Sequence, residues 1–202
     1  MREGHTEPGA VDFATARGPE PDDAGLVDWF LTGHAALVVA LEHASPDLQC
    51  WTFLPAPSSL GFWARRQAHE TSIHRVDAEL AAGTALSAIE PTFAADGIDE
   101  LLVGFGSRRG SGLAERGQAS TIVDVRCSDD DAGWTVRLGL EEGMLGAAAA
   151  GDESAAESTP DCTVRGTGAD LYLTLWRRGD PEALNVQGDG RAFELLLERA
   201  RI

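Results

Sequence analysis

The spacing of apolar residues changes once along the chain, and this change constrains the fold more than any other feature. Up to residue 105, apolar side chains recur every three or four residues, as they do on one face of an α-helix. From residue 120 they alternate with polar side chains, as along a strand with one buried face. The pattern therefore predicts an α+β protein in which helices precede a compact mixed unit.

The first part is predicted to hold three helices behind a polar, disordered lead-in at 1–21. The predicted helices span residues 26–43, 60–82 and 91–104. Asp22 and Asp23 supply cap and first-turn acids for the first helix. Its apolar side chains form one broad stripe, with Trp29 beside it: Leu26, Phe30, Leu37 and Leu41. Residues 22–105 are thus expected to form a helical domain.

The second part, residues 118–202, is predicted to be a small α+β domain joined by a linker at 106–117. Strands are predicted at 120–127, 134–140, 162–165 and 183–187. Helices are predicted at 168–178 and 191–199. The segment 146–160 is rich in Ala, Glu and Ser, which is typical of a mobile loop.

The charge balance limits the partners. Sixteen basic residues face 33 acidic ones, a net charge of −17. Such a surface repels nucleic-acid phosphates and anionic lipids. The sequence has neither an apolar run long enough to cross a membrane nor a secretory signal. We therefore expect a cytoplasmic protein that binds small molecules, with no nucleic acid and no membrane insertion; its oligomeric state is left open.

Two residue types narrow the chemistry further. All the basic residues are Arg, so no lysine is available as a phosphate-binding, Schiff-base or general-base group. This composition is typical of a GC-rich genome, such as that of an actinobacterium. The three cysteines, Cys50, Cys127 and Cys162, are far apart and form no C-x-x-C pair. We expect them to be reduced and buried, so that any reactive thiol would come from a bound cofactor.

The second predicted helix holds the densest group of metal-binding side chains. Glu70 and His74 are four residues apart and lie within about 40° of each other around a helix, so one metal ion can contact both. Asp77 continues that face and can orient the imidazole, whereas His69 points about 140° away from His74. Such a pair is also typical of a solvated helix contact, and a catalytic zinc normally has three protein ligands.

The remaining candidates have plain structural interpretations. Arg66 can pair with Glu70 or with a substrate carboxylate, but solvation of Arg65 and Arg66 is the simpler expectation. His34 and His43 are expected at the surface. Arg126 and Arg165 suit either a carboxylate or a strand edge. Five tryptophans are expected to anchor the core and loops: Trp29, Trp51, Trp63, Trp134 and Trp176.

One stretch is more specific than its periodicity. Cys-Trp-Thr-Phe at 50–53 and Gly-Phe-Trp-Ala-Arg-Arg-Gln-Ala-His-Glu-Thr-Ser-Ile-His-Arg-Val-Asp-Ala-Glu at 61–79 resemble the metal-site helix of the mycothiol-dependent maleylpyruvate isomerases. Residues 94–102 resemble that family's next helix, and 163–176 and 184–189 resemble its C-terminal domain. The resemblance implies an incomplete DinB-like helical bundle followed by a small sterol-carrier-like α+β domain.

The resemblance also implies a chemistry. The family binds a divalent metal, usually zinc, through a His from an early helix plus a Glu and a His four apart, which Glu70 and His74 match. The metal activates the thiol of mycothiol, and thiolate addition, bond rotation and elimination give cis–trans isomerisation. Substrates vary across the family, and its members carry the early His on further N-terminal residues.

Two hypotheses stay open. One is a metal- and thiol-dependent isomerase or transferase acting on a small organic substrate. The other is a non-catalytic binding protein with an apolar pocket in the C-terminal domain, or a truncated paralogue with an incomplete metal site. His5 is not assigned as the third ligand. Because the family's bundle has four helices, two or three would leave an apolar face for a partner to cover.

Overall fold

The computed structural model describes residues 24–106, 119–139, 145–149 and 159–200. The chain divides into two compact units, residues 1–70 and 71–202. The predicted lead-in at 1–21 lies outside the described residues. So do all of the predicted linker after residue 106 and the part of the predicted loop at 150–158.

Three helices occupy the first half of the chain, as predicted. They are α1 (Leu26–Glu42), α2 (Ser59–Ala82) and α3 (Pro91–Asp99), which continues as a π-helical segment, Glu100–Phe105. α2 begins where the Ser58 hydroxyl accepts a hydrogen bond from the Gly61 amide at 3.0 Å. It ends at Gly83, whose φ of +65° is open to glycine without strain.

A five-stranded sheet forms the centre of the second unit. Its strands are β1 (Ala119–Cys127), β2 (Gly133–Gly139), β3 (Leu145–Ala149), β4 (Cys162–Gly166) and β5 (Asn185–Gly188). Their order is β3-β2-β1-β4-β5. All neighbours are antiparallel except β1 and β4, which pair in parallel.

The four predicted strands are confirmed, but the predicted loop is wrong at residues 146–149. These residues form β3, in which Ala147 pairs with Val136 and Ala149 with Trp134. Main-chain hydrogen bonds make that pairing, and they need no β-branched side chain. A strand of alanines therefore looked like low-complexity sequence.

Two more helices complete this unit: α4 (Gly168–Leu175) and α5 (Gly190–Arg199). Side chains cap both, since Thr167 accepts from the Asp170 amide and Asp189 from the Arg191 amide. α4 ends three residues before the predicted Arg178, because Arg177 adopts a φ of +69°. The amides of Arg178 and Gly179 then both donate to the Leu173 carbonyl, which closes the helix.

One apolar core joins these elements within residues 71–202. It contains side chains from the second half of α2, from α3, from one face of the sheet and from α4 and α5. Fully buried members include Val76, Ile98, Val125, Leu171 and Leu196. The α+β fold class is thereby confirmed.

None of the residues of α1 is buried, whereas each of the other α-helices buries several side chains. Leu26, Leu37 and Leu41 are half-buried, whereas Phe30 is exposed. Within the described residues, no helix combines the length and the apolarity that a bilayer crossing requires.

Candidate functional site

Glu70 and His74 both lie on α2, as the sequence predicts. Within the first unit, the Arg66 guanidinium forms an ion pair with Glu70 through Nη2 and Oε1. Arg66 is only 2% exposed, so the expectation that it is solvated is wrong. A buried guanidinium needs a carboxylate partner, and Glu70, one turn away, supplies one.

His74 belongs to a chain of three polar side chains in the second unit. Its Nδ1 lies 3.0 Å from Oδ2 of Asp77. Arg178 donates to the same carboxylate twice, from Nε to Oδ1 at 2.9 Å and from Nη2 to Oδ2 at 3.0 Å. The contact between His74 and Asp77 is the one that the predicted orienting role of Asp77 requires. Arg178 was missed, because it lies about a hundred residues further along the chain and no local spacing connects it to α2.

The charge of Asp77 follows from these contacts. The hydrogen bonds from Arg178 lower the pKa of Asp77, and the contact with His74 lowers it further, while partial burial opposes the shift. Asp77 is therefore a carboxylate at neutral pH. It holds Nδ1 of the imidazole and directs Nε2 away from itself, which is the usual arrangement of a metal-binding histidine.

The donor types suit a divalent metal, but their number falls short. A carboxylate and an imidazole are ordinary zinc ligands, and a catalytic zinc normally has three protein ligands. Within the residues that the structure describes, no group of three or more His, Cys, Asp or Glu side chains is arranged to hold a metal ion. Glu70 and His74 therefore fit the group in kind and supply two donors.

An aromatic cluster fixes the segment before α2 against its first turns. The rings of Trp51, Phe53, Phe62 and Trp63 lie 4.8–6.3 Å apart, mostly edge to face. Trp63 Nε1 also donates to the Trp51 carbonyl at 3.0 Å. These contacts confirm both tryptophans as loop anchors and hold residues 50–63, the start of the segment that carries the family resemblance.

The other tryptophans and the histidines of the described residues differ in burial. Trp134 and Trp176 are buried and donate to Asp99 Oδ1 and the Gly97 carbonyl, both at 3.2 Å. Trp29 is half-exposed on α1, so its predicted anchoring role is wrong. Two histidines, His34 and His43, are exposed as expected. His69 is completely buried.

A cleft of about 410 Å³ lies in the second unit between α3 and the turn from β1 to β2. Trp134 and Thr92 line it together with four carboxylates: Asp96, Asp99, Asp130 and Asp131. Its lining is therefore acidic, and the apolar pocket expected of the C-terminal domain stays a prediction. Its charge disfavours an organic dianion.

The protein's own thiols do not suit nucleophilic chemistry in this unit. All three cysteines are free, with Cys127 and Cys162 buried and Cys50 half-buried. Burial raises the pKa of Cys127 to about 11, and the charges of Asp129 and Asp130 contribute. Burial, followed by the charge of Asp189, also raises the pKa of Cys162. Both thiols are therefore protonated at neutral pH.

Two arginines on strands, Arg126 of β1 and Arg165 of β4, were weighed as carboxylate-binding residues. Arg126 Nη2 lies 2.7 Å from Oδ2 of Asp124, whose other oxygen accepts from the Thr135 hydroxyl at 2.8 Å. Arg126 thus has the strand role that was weighed against carboxylate binding. Arg165 is exposed on β4.

Comparison with known proteins supplies the remaining evidence. The family model "Mycothiol maleylpyruvate isomerase N-terminal domain" matches residues 1–79, and "MDMPI C-terminal domain" matches residues 92–195. No curated protein has significant similarity to the chain.

Solved structures give weaker likenesses. A "UbiJ-SCP2 Ubiquinone synthesis protein" is 18% identical with a TM-score of 0.32, covering 55% of this chain and 97% of its own. The inverting sec-alkylsulfatase Pisa1 from Pseudomonas sp. is 16% identical with a TM-score of 0.33, covering 55% of this chain and 16% of its own.

Proposed function

Because the chain belongs to the mycothiol maleylpyruvate isomerase family, we propose that it is a metal- and thiol-dependent isomerase or transferase acting on a small organic substrate. The observation that carries this proposal is the hydrogen-bonded series Arg178–Asp77–His74. It prepares the imidazole of His74 as a ligand, on the same helix as Glu70.

Each proposed ligand is positioned by its own neighbouring side chains. Arg178 holds the Asp77 carboxylate with two hydrogen bonds, and Asp77 fixes the ring orientation and tautomer of His74. Arg66 positions Glu70 by an ion pair from a buried site. We infer that Arg66 and Arg178 act on the ligands rather than on the substrate.

The proposed chemistry needs a thiol from outside the protein. Glu70 and His74 would hold a divalent metal, zinc by the family resemblance, and that metal would lower the pKa of a thiol bound to it. Cys127 and Cys162 are buried and protonated at neutral pH, so they do not replace that thiol. Mycothiol is the thiol that the family's description names. Addition of its thiolate to an activated double bond, rotation and elimination would isomerise the substrate.

Metal content tests the proposal directly. We expect the full chain to bind close to one zinc ion, measured by elemental analysis after equilibration with zinc and removal of the excess. Glu70→Ala and His74→Ala should each abolish binding. Asp77→Asn should weaken it by about 10–100-fold, as expected when the partner of a ligating histidine is lost. His34→Ala, which removes an exposed histidine of α1, is the matched control and should bind normally.

An activity assay follows for the protein that binds zinc. Mycothiol and maleylpyruvate are incubated with the zinc-loaded chain, and conversion of the cis isomer into the trans isomer is followed by absorbance. Turnover that disappears in His74→Ala supports the isomerase. Zinc binding with turnover of another mycothiol acceptor supports the transferase.

The competing function is a non-catalytic binding protein. The observation in its favour is that the described residues supply only two metal donors where a catalytic zinc needs three. Absence of zinc binding by the full chain, or zinc binding unchanged in Glu70→Ala, would favour a binding protein and contradict the proposed enzyme.

The proposed enzyme also requires a location. The cytoplasm, where small thiols are kept reduced, is the location that it requires.

A further inference from the structure

The face of α2 that carries the proposed ligands also carries a tryptophan. At about 100° per residue, Trp63 lies within about 20° of both Glu70 and His74 around the helix axis. It precedes Glu70 by seven residues, which is two turns or about 10 Å along the helix. Trp63 therefore shares a face with both ligands and lies at one end of it.

Trp63 is the centre of the aromatic cluster at the start of α2. The centroid of its ring lies 6.3 Å from that of Trp51, 5.9 Å from that of Phe53 and 5.0 Å from that of Phe62. Phe62 is buried, whereas the other three rings are half-buried and keep part of their surface exposed. We call these three half-buried rings, Trp51, Phe53 and Trp63, the aromatic platform.

Hydrogen bonds fix the aromatic platform to α2. Trp63 Nε1 donates to the Trp51 carbonyl at 3.0 Å. The Ser59 hydroxyl accepts from the Cys50 amide at 3.1 Å and donates to the Cys50 carbonyl at 2.9 Å. The ring and the segment that supports it are thus held in place, so a ligand that packs on the ring does not have to order it first.

We propose that the aromatic platform binds the acceptor of the thiol, and that this acceptor is an uncharged α,β-unsaturated carbonyl compound with an aryl group. The aryl ring packs on Trp63, and the unsaturated carbon faces the ligands Glu70 and His74. This inference rests on the proposed function, because the thiol bound beside these ligands is the partner with which the acceptor reacts.

The order of groups along this face of α2 fits such an acceptor. Gln67 lies between the ring and the ligands, four residues after Trp63 and three before Glu70, and its side chain is half-buried. A ligand that spans the face meets an aromatic ring, then an amide, then the ligand pair. The amide can donate a hydrogen bond to a carbonyl oxygen, and aromatic rings pack favourably on one another.

The charge of the protein favours an uncharged acceptor. The chain has a net charge of −17, which repels an anion and leaves a neutral molecule unaffected. The guanidinium of Arg66 is bound to Glu70, and that of Arg178 to Asp77. The positive charges beside the ligands thus hold carboxylates of the protein itself.

Binding without reaction tests the aromatic platform by itself. Benzylacetone, a saturated aryl ketone that does not react with thiols, is titrated into the full chain without metal or thiol. Methyl propyl ketone, which has a methyl group in place of the phenyl ring, is the matched ligand. We expect the indole N–H resonance of Trp63 to shift with benzylacetone at a concentration at least about tenfold lower than with methyl propyl ketone.

Kinetics of the zinc-loaded chain with mycothiol test the specificity. The ratio of kcat/KM for benzylideneacetone to kcat/KM for ethylideneacetone should fall by at least about tenfold in Trp63→Leu, and the zinc content should not change. Because each variant is compared with wild type, the intrinsic reactivities of the two enones cancel. Trp63→Phe keeps a ring and should retain most of the preference.

Phe62→Leu is the matched control. It removes a buried ring of the same cluster that lies about 100° from Trp63 around α2, so it should lower the melting temperature and leave the ratio unchanged. Equal binding of the two ketones, or an equal fall of the ratio in Trp63→Leu and Phe62→Leu, would overturn the proposal.

The two experiments separate this inference from the proposed function. Zinc binding with thiol addition whose ratio is unchanged in Trp63→Leu would overturn the role of the aromatic platform and leave the proposed function standing. Absence of zinc binding, together with selective binding of benzylacetone at Trp63, would contradict the proposed function and support the aromatic platform as a site for aryl ketones.

Discussion

Two apolar helices of this chain have opposite surroundings. α1 has 17 residues and buries none of them. α4 has eight residues and buries six: Gly168, Leu171, Tyr172, Leu173, Thr174 and Leu175. Both would be described from sequence as helices that need a partner. Composition therefore predicts the need for burial, and the position of an element in the fold decides whether the need is met.

The contacts of α4 explain its burial. Tyr172 packs edge to face on Phe93 of α3, with ring centroids 6.3 Å apart. Trp176, just after α4, donates to the Gly97 carbonyl of α3. α4 begins two residues after β4, an interior strand of the sheet, so the chain passes directly from the sheet into this helix. Among the described residues, no strand precedes α1.

The largest test of this comparison is removal of one leucine from each helix. Leu171→Ala in α4 should lower the free energy of unfolding by about 2–5 kcal/mol, because it leaves a cavity in a fully buried site. Leu31→Ala in α1 should change it by no more than about 0.5 kcal/mol, as at an exposed site. Urea unfolding measures both. Equal costs would mean that α1 is buried in solution.

A glycine in each helix gives the next test, with opposite signs expected. A Cβ at Gly168 would lie 3.2 Å from the Pro91 carbonyl oxygen and 3.3 Å from Ala94 Cβ, whereas a Cβ at Gly33 meets nothing within 4 Å. Gly168→Ala should therefore cost about 1–2 kcal/mol through overpacking. Gly33→Ala should stabilise α1 by about 0.5–1 kcal/mol through helix propensity.

Thermal unfolding and far-ultraviolet circular dichroism of these two variants measure the effects. We expect a lower melting temperature for Gly168→Ala and a higher helix content, without a lower melting temperature, for Gly33→Ala. A stabilising Gly168→Ala would show that α3 and α4 are packed less tightly than the structure describes.

The same contrast explains what the sequence could predict. Helix and strand positions followed from periodicity, because local propensity and burial agree in β1, β2, α2 and α5. β3 was missed, since its alanines pair through the main chain and leave no alternating pattern. An uncovered apolar face was expected from the small number of predicted bundle helices, but periodicity did not identify α1 as the helix that carries it.

The candidate site shows the same limit. Glu70, His74 and Asp77 lie on one helix, so their spacing alone predicted a shared face, and the contact from His74 to Asp77 is present. Arg178 contacts Asp77 from the segment that follows α4. Only the tertiary fold brings that residue to Asp77, and nothing in the order of residues near 178 indicates it.

The smallest expected effect concerns the contact between Arg178 and Asp77. The test is whether this contact helps to hold the end of α4 in place or whether apolar burial does so alone. Arg178→Met removes the guanidinium and keeps the length of the side chain. Because Asp77 is 38% exposed, solvent screens the pair, and the loss at pH 7 should be only about 0.3–1 kcal/mol. Arg75→Met is the control, since Arg75 lies 3.7 Å from Glu79 on the exposed side of α2; it should cost less.

The pH dependence of that loss identifies its source. Arg178 lowers the pKa of Asp77 below the ordinary value of 3.8, so the folded state binds this proton less readily than the unfolded state. The contribution is therefore fully present above pH 3.8 and disappears as the pH falls through the lowered pKa of the folded protein. Urea unfolding of wild type and Arg178→Met should differ at pH 7 and pH 5, and the difference should shrink as the pH falls below 3.8. A difference that stays constant below pH 3.8 would instead assign the loss to the packing of the arginine side chain against α4, and apolar burial would then account for the position of this helix without help from charge.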